Sequence, residues 1–414
     1  MSRLHPTFAP LAHRDYRLLW LGSTVATTAF MMSFMLVPSV AFEITGSNAA
    51  AGLAQMGSGI GMFIVSPIGG VISDRMRKKP LVLMGQAVPA VVILITGILI
   101  LTDHITVPLL TIATLIMGLG FAFMGPARQA WVAELVPREL LPNAIALQQI
   151  AQNISQVAGP LLIAILVGTV LGIGRTYLFM ASLFLIVLPI TTSLPNTEPA
   201  VKERRPVHTE MAAGFRYVWS EPRLRTLWLG FVGIVVCGFA FQTLLPGLLS
   251  EELDRTPKDV GVIFLALAMA GLVVSVPLAG VVRTERAWPV LLIVGFVMSL
   301  GFVLLSQAPT YGLAIAAAVP LGVGRAGFML INSSLLMSNA EPAYHGRVMS
   351  LAMMGFGSQA LLAPVWGALA DWLGVRATLL IVGLVAATFT SLVGLSWVRI
   401  RTVPATPLAV SVAS

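Results

Sequence analysis

The chain has 414 residues, of which 57% are hydrophobic and only 10% are charged. Soluble globular chains carry roughly 25% charged residues, so this composition argues against a water-soluble fold and favours helices whose outer surface meets lipid. The single cysteine, Cys237, excludes a disulfide framework or a cysteine-based metal cluster. The net charge of +8 comes from Lys and Arg that lie between apolar runs, which argues against nucleic acid as a partner.

Twelve apolar runs follow a polar N-terminus that does not resemble a cleaved signal peptide. Each run is long enough to cross a bilayer as a helix of about 20 residues. The sequence therefore predicts an all-α polytopic membrane protein with twelve transmembrane helices. In chain order the predicted spans are 17–42, 49–73, 80–101, 107–129, 142–170, 174–194, 224–250, 258–282, 287–307, 310–337, 347–370 and 375–398.

The Lys and Arg residues orient these spans. If the N-terminus is inside, most of the 25 fall in inner connections, and the longest inner connection separates spans 6 and 7. Because basic residues accumulate in cytoplasmic loops, both termini are predicted to be cytoplasmic. In the long connection, Met211, Phe215, Val218 and Trp219 follow helical spacing, which predicts a short amphipathic helix in the membrane interface rather than a solvated linker.

The two halves of the chain repeat. Residues 19–22 recur as 227–230, and Pro160 matches Pro364, with other glycine and proline matches in the same order. Nearly constant shifts indicate two six-helix bundles of the same direction, an organisation found in one class of secondary transporter. The predicted domains are a bundle over 1–195, a cytoplasmic linker over 196–222 and a second bundle over 223–414.

Two stretches resemble a known family. Residues 69–79 (GGVISDRMRKK) resemble the loop between spans 2 and 3 of the major facilitator superfamily. Residues 125–130 (GPARQA), 134–139 (ELVPRE) and 142–144 (PNA) resemble its enterobactin-exporter and macrolide-efflux branch of drug:proton antiporters. The resemblance implies export of a small organic molecule from a bacterial cytoplasm by proton antiport and alternating access. It further implies a location in the inner membrane, and we expect a monomer without cofactors.

Arg325 lies near the middle of predicted span 10. Facing lipid there costs at least about 2.5–3.5 kcal/mol, so we expect its side chain to face a central cavity. Asn332 and Ser333 follow at helical spacing on the same side. Arg325 can attract an anionic or electron-rich substrate group. Alternatively, it is a structural residue bonded to backbone carbonyls of a neighbouring helix.

Span 5 carries a stripe of amide side chains that predicts either a wet cavity or a helix–helix contact. Amides between membrane helices contribute only about 0.6–2 kcal/mol each, so a stripe this dense favours the cavity. Gln55, Gln242 and Gln359 are weaker candidates of the same kind. The stripe consists of Gln148, Gln149, Gln152, Asn153 and Gln156.

No Asp or Glu falls in the middle of a predicted span, although Glu43 and Asp371 lie near outer helix ends. Glu43 is the predicted carrier of the coupling proton, and the alternative is a carboxylate that never leaves water. At the inner ends, the resemblance implies a cytoplasmic gate, with ordinary positive-inside charge as the alternative. Lys78 and Lys79 are assigned to the latter. The gate would comprise Asp74, Arg75, Arg128, Glu134 and Arg138.

Three other functions compete with an exporter. An uptake symporter on the same fold differs only in direction. A non-transporting receptor or regulator would be expected to carry a larger soluble domain. An intramembrane enzyme needs a nucleophile–base or metal pair, and the sequence contains no such constellation and no nucleotide-binding loop. We therefore do not expect an enzyme.

Overall fold

The computed structural model describes residues 6–196, 207–281, 286–341 and 344–401. Within these ranges the side chains of several stretches, including 66–75 and position 138, are outside the description. The described chain is α-helical with short π and 3-10 turns. Its α-helices are α1 (Arg14–Thr45), α2 (Asn48–Arg75), α3 (Lys78–Leu101), α4 (Val107–Leu135), α5 (Leu141–Ile165), α6 (Gly172–Thr192), α7 (Val207–Ser220), α8 (Pro222–Gly238), α9 (Ala240–Gly247), α10 (Val260–Val281), α11 (Ala287–Ser306), α12 (Tyr311–Asn339), α13 (His345–Leu373) and α14 (Val375–Arg401).

Within the described residues, ten helices are long and apolar enough to cross a membrane. One of them, Pro222–Glu252, contains α8, α9 and a π turn. Two further long helices, α2 with 28 residues and α13 with 29, pack against each other and against several other helices. Both carry several glycine and polar residues among their apolar ones. Each of the twelve predicted spans coincides with one of these helical segments, so the all-α fold is confirmed.

Helix pairing repeats along the chain. In the first helix group (α1–α6), α1 packs on α5 and α6, α2 packs on α4, and α3 packs on α4 and α6. In the second helix group (α8–α14), α8 packs on α13 and α14, α10 on α12, and α11 on α12 and α14. The same arrangement thus occurs twice, as the sequence repeat predicts. The domain boundaries at 195 and 223 stay a prediction.

Two antiparallel helix pairs, α2 with α13 and α5 with α10, join the groups. We call the end of the molecule where α1 begins and α14 ends the terminal side. The opposite end, which carries the α1–α2, α3–α4 and α13–α14 connections, is the distal side. The amphipathic segment forms α7, which packs on α8 and α13. Phe215 and Trp219 stack on its exposed face, with ring centroids 5.4 Å apart.

Candidate functional site

Arg325 is the middle residue of the 29-residue helix α12. Its guanidinium Cζ lies 5.0 Å from the centroid of the Phe239 ring, within the range of a cation–π contact. Its Nε is buried and has no hydrogen-bond partner. Among the described residues no carboxylate or backbone carbonyl accepts a hydrogen bond from this guanidinium, so the contact partners seen here do not neutralise its charge.

The ring under Arg325 lies within span 7. Phe239 is a single turn residue between α8 and α9, and its N–H still donates to Val235 O at 3.2 Å. Residues Pro222–Glu252 thus form one apolar span, as the sequence predicts. Phe356 of α13 meets Phe239 edge-on at 6.0 Å, and Phe231 meets Phe356 at 5.5 Å. Met329, one helical turn after Arg325, packs on the same cluster. Arg325 thus lies beside an aromatic cluster of Phe231, Phe239 and Phe356, against which Met329 of α12 packs.

Asn332 lies two turns after Arg325 and is fully buried. Neither its Oδ1 nor its Nδ2 has a hydrogen-bond partner. A buried amide without partners costs about 1–3 kcal/mol. A protein can tolerate a buried amide of this kind where a ligand or a water molecule supplies the missing hydrogen bonds. Gln359 of α13 is also nearly buried.

The amide stripe of α5 faces away from the apolar surface of that helix. Ile154, which is 43% exposed, follows Gln152 by two residues and therefore lies on the opposite side. Gln156 is exposed on the amide side, and Gln152 is half-buried. The Gln149 amide donates to Asn153 at 3.2 Å. The fifth amide, Gln148, has a buried Nε2 without a partner.

Gln242 of α9 has a partner in the other helix group. Gln55 of α2 donates from Nε2 to Gln242 Oε1 at 3.2 Å, and the Thr243 hydroxyl donates to Gln55 Oε1 at 3.0 Å. All three side chains are buried. In this conformation Gln242 thus helps to join the groups. The hydrogen bonds described for Gln242 do not include one to Arg325.

The distal side is closed by close packing of α2 on α13. A Cβ atom on Gly52 would stand 2.5 Å from Ala363 O, and one on Gly59 would stand 2.7 Å from Leu361 N. Only glycine permits this approach of two backbones. At the rim, Glu43 Oε1 lies 3.3 Å from Lys258 Nζ across the groups, and both side chains are about 40% exposed.

Three residues of the distal side were not singled out as a site by sequence analysis. Asp371, at the end of α13, accepts hydrogen bonds from the first residues of α2, including Asn48. Asn48 also donates to Glu251, which lies in the π turn after α9. Acidic residues at helix ends are ordinarily solvated, so the sequence gives no reason to single out Asp371 and Glu251. Only the structure shows that both accept hydrogen bonds from Asn48, which is distant in the chain.

On the terminal side, the described contacts of the predicted gate lie within the first helix group. Arg128 of α4 donates to Thr27 of α1 at 3.0 Å. Glu134 lies 3.9 Å from Lys78, which is almost completely buried rather than an exposed loop charge. The side chains of Asp74, Arg75 and Arg138 lie outside the described residues. The gate assigned to these five residues therefore stays a prediction.

Comparison with known proteins places this arrangement in a family. The family model described as "Major Facilitator Superfamily" matches residues 19–361. The enterobactin exporter EntS of Shigella boydii serotype 18 is 25% identical over 390 residues, which cover 90% of each chain. EntS of Escherichia coli O1:K1 / APEC is 24% identical over the same length and coverage.

Solved structures of low sequence identity share the fold. The nucleoside transporter NupG superposes with a TM-score of 0.74 at 12% identity, covering 93% of this chain and 99% of that chain. The human organic anion transporter MFSD10 (TETRAN) superposes with a TM-score of 0.67 at 16% identity, covering 92% and 99%. The chain therefore belongs to the Major Facilitator Superfamily and is a multi-pass membrane transporter, not an enzyme.

Proposed function

We propose that this protein exports a small organic molecule from a bacterial cytoplasm by alternating access, driven by proton entry. The observation that carries the proposal is the seam on the distal side, where Gln55–Gln242 and Glu43–Lys258 contacts cross between two similarly built helix groups. These contacts have to break before the interior can reach that side. The positive-inside bias supports a cytoplasmic terminal side, and the EntS relatives support export.

Arg325 is the proposed anchor for the substrate. A guanidinium keeps its charge in proteins and offers five donors. In this structure it lies at the centre of a membrane-spanning helix without an acceptor among the described residues, and the partnerless Asn332 lies two turns away. An anionic or electron-rich group of the substrate would accept from the guanidinium, and a second polar group of the same molecule would bond to Asn332. The Phe239 ring below the guanidinium favours a substrate with a flat apolar part.

The proposed wall opposite this anchor is the amide face of α5. Its side chains, Gln148, Gln152, Asn153 and Gln156, can hydrogen-bond to a polar substrate without imposing a charge. Gln359 and Gln242 would join them after the groups rearrange. A site of this composition binds through one charge and many neutral contacts, which suits molecules of varied shape.

Transport in reconstituted vesicles tests the proposal. The probe is 2-naphthalenesulfonate, a permanent anion that does not follow a pH gradient by passive diffusion. The (2-naphthyl)trimethylammonium cation, which has the same ring system and the opposite charge, serves as the control. With the membrane potential clamped, an antiporter in either orientation accumulates the anion on the acidic side of a pH gradient. In vesicles with the Arg325→Met variant, accumulation of the anion should fall by about tenfold or more, because a charged hydrogen bond contributes about 1.5–3 kcal/mol.

Two outcomes oppose the proposed transport, and a third opposes only the role of Arg325. Accumulation on the alkaline side would indicate a symporter on the same fold. No gradient-dependent movement of any anionic or cationic amphiphile in a wider screen would count against proton-coupled transport and favour a receptor or regulator. Preference for the cation would contradict only the role of Arg325 as the anchor for an anionic group.

A further inference from the structure

The distal seam contains a helix cap supplied by the opposite helix group. Asp371 Oδ1 accepts from the backbone N–H of Asn48 at 2.8 Å and from Asn48 Nδ2 at 3.1 Å. Asp371 Oδ2 accepts from the Ser47 hydroxyl at 2.6 Å and from the backbone N–H of Ala49 at 3.0 Å. Four donors from the start of α2 thus converge on one carboxylate at the end of α13. Carboxylates near a helix N-terminus are favourable because the helix dipole leaves positive partial charge there.

Asn48 connects this cap to a second carboxylate. Its Nδ2 also donates to Glu251 Oε1 at 3.2 Å, so one amide group is shared by α13 and by the π turn that ends span 7. The side chain is fully buried, and its Oδ1 has no donor. A Cβ atom on Gly247 or on Gly367 would collide with Asn48, so both glycines make room for it. Three elements of the second helix group, α9, the π turn and α13, thus enclose Asn48.

The other half of the repeat shows that such a cap is not required for helix formation. The segment that leads into α10, the counterpart of α2, begins with a capping box within its own chain segment. There the Asp259 carboxylate accepts from the backbone N–H and hydroxyl of Thr256, each at 3.1 Å. The first turn of α2 contains no acidic residue. The start of α2 has a local cap as well, since the Ser47 hydroxyl accepts from the backbone N–H of Ala50 at 3.2 Å. The bonds to Asp371 from across the seam are therefore additional to local capping in α2.

We propose that Asp371 is a gating residue that holds the distal side closed, with Asn48 and Glu251 as its partners. The inference rests on the proposed alternating access. Opening the distal side separates α2 from α13 and removes all four bonds to the carboxylate together. Water can then hydrate the exposed helix N-terminus and the carboxylate, so the bonds are reversible. A contact that is strong when closed and replaceable by water when open biases two arrangements without locking either.

The experiment measures the distance across the distal side in the full chain, without substrate or gradient. In a Cys237→Ala background, His104→Cys and Gln307→Cys place spin labels on exposed loops of the two helix groups. Asp371→Asn preserves size and removes the charge. The charged bonds it weakens are each strong, so the ratio of open to closed populations should rise by about tenfold or more.

Asn48→Asp provides a second variant of nearly unchanged shape. It brings a third carboxylate against Asp371 and Glu251 and should open the distal side at least as far. Adding Asp371→Asn to Asn48→Asp removes one of the repelling charges and lets the new amide at position 371 donate to the new carboxylate at position 48, so the double variant should close again in part. A purely structural loosening would instead make the double variant worse than either single variant.

Glu252→Gln is the matched control. It removes the 2.6 Å pair between Glu252 and Arg376, which lies in the same region but entirely within the second helix group. It should leave the distance distribution unchanged. The proposal is overturned if Asp371→Asn and Asn48→Asp both keep the native distribution, or if Glu252→Gln shifts it equally. Failure of vesicle transport with a clear shift in distance would reject the exporter function and leave the gate intact.

Discussion

The guanidinium of Arg325 lies over the ring of Phe239, 5.0 Å from its centroid, at the turn residue that separates α8 from α9. The ring attracts the cation but cannot accept the hydrogen bonds that its N–H groups offer. The buried Nε keeps no partner. The protein thus holds an incompletely satisfied charge at the centre of a membrane-spanning helix, an arrangement that is costly unless a ligand uses it.

Arg325→Met should therefore stabilise the protein while weakening substrate binding. Replacing an uncompensated, partly buried charge by an unbranched apolar side chain is expected to raise the free energy of unfolding by about 1 kcal/mol or more. Thermal unfolding in detergent measures this as a higher Tm. If Arg325 is instead a structural residue, Arg325→Met lowers Tm. In that case Arg325→Lys should have a Tm closer to that of the native protein than Arg325→Met has.

Gly52→Ala should prevent closure of the distal side. The added Cβ would stand 2.5 Å from the Ala363 carbonyl oxygen, and backbone atoms cannot move away as a flexible side chain can. We expect transport to fall by about tenfold or more, because a clash of this kind costs at least about 1–3 kcal/mol. Gly312→Ala is the control, since nothing lies within 4 Å of its Cβ position. Normal transport by the Gly52 variant would contradict the tight α2–α13 contact.

The spans could be predicted from sequence because lipid requires every backbone polar group to be satisfied within the helix, which demands long apolar runs. Arg325 was predictable for the same reason, as one charge in an otherwise apolar run. Prolines did not indicate the turn residue of span 7. Pro38 and Pro160 lie inside continuous helices, whereas the turn lies at Phe239.

The distal seam could not be predicted because its partners are unrelated in sequence spacing. Asp371 and Asn48 are 323 residues apart, and each is an ordinary polar residue at a helix end. For Gln242, the sequence indicated a polar residue in a span but not its role. A polar residue in a span can line a cavity or bond to another helix, and only the position of Gln55 shows that it does the latter here.

Gln55 and Gln242 should be energetically coupled. Gln55→Leu leaves Gln242 Oε1 and the Thr243 hydroxyl buried without their partners, which costs about 1–3 kcal/mol. Gln242→Leu likewise leaves Gln55 Nε2 buried without its acceptor. The double variant removes both the Gln55 donor and the Gln242 acceptor. The coupling energy from unfolding of the four proteins should be about 0.6–2 kcal/mol. Additive losses would mean that the bond contributes nothing.

The same pair separates packing from substrate binding. If Gln242 also lines the substrate site, as its sequence context predicts, Gln242→Leu should raise the KM for 2-naphthalenesulfonate more than Gln55→Leu does. Gln55→Leu breaks the bond to Gln242 and also the bond from Thr243, so it should disturb closure of the seam at least as much as Gln242→Leu does. Equal KM values for the two variants would confine Gln242 to the seam.

Glu43 and Lys258 allow the proton-coupling role of Glu43 to be tested apart from its ion pair. Glu43→Gln and Lys258→Gln both break the 3.3 Å contact across the groups. Since both side chains are about 40% exposed, loss of the pair itself should cost no more than about 1 kcal/mol. Only Glu43→Gln removes a group that can carry a proton. If Glu43 couples transport, its variant should still exchange the probe at equal pH on both sides but no longer accumulate it under a pH gradient, whereas Lys258→Gln should keep accumulation. Equal accumulation by both variants would leave Glu43 as a rim residue of the seam, and the carrier of the proton would then have to be sought among the carboxylates around Asn48.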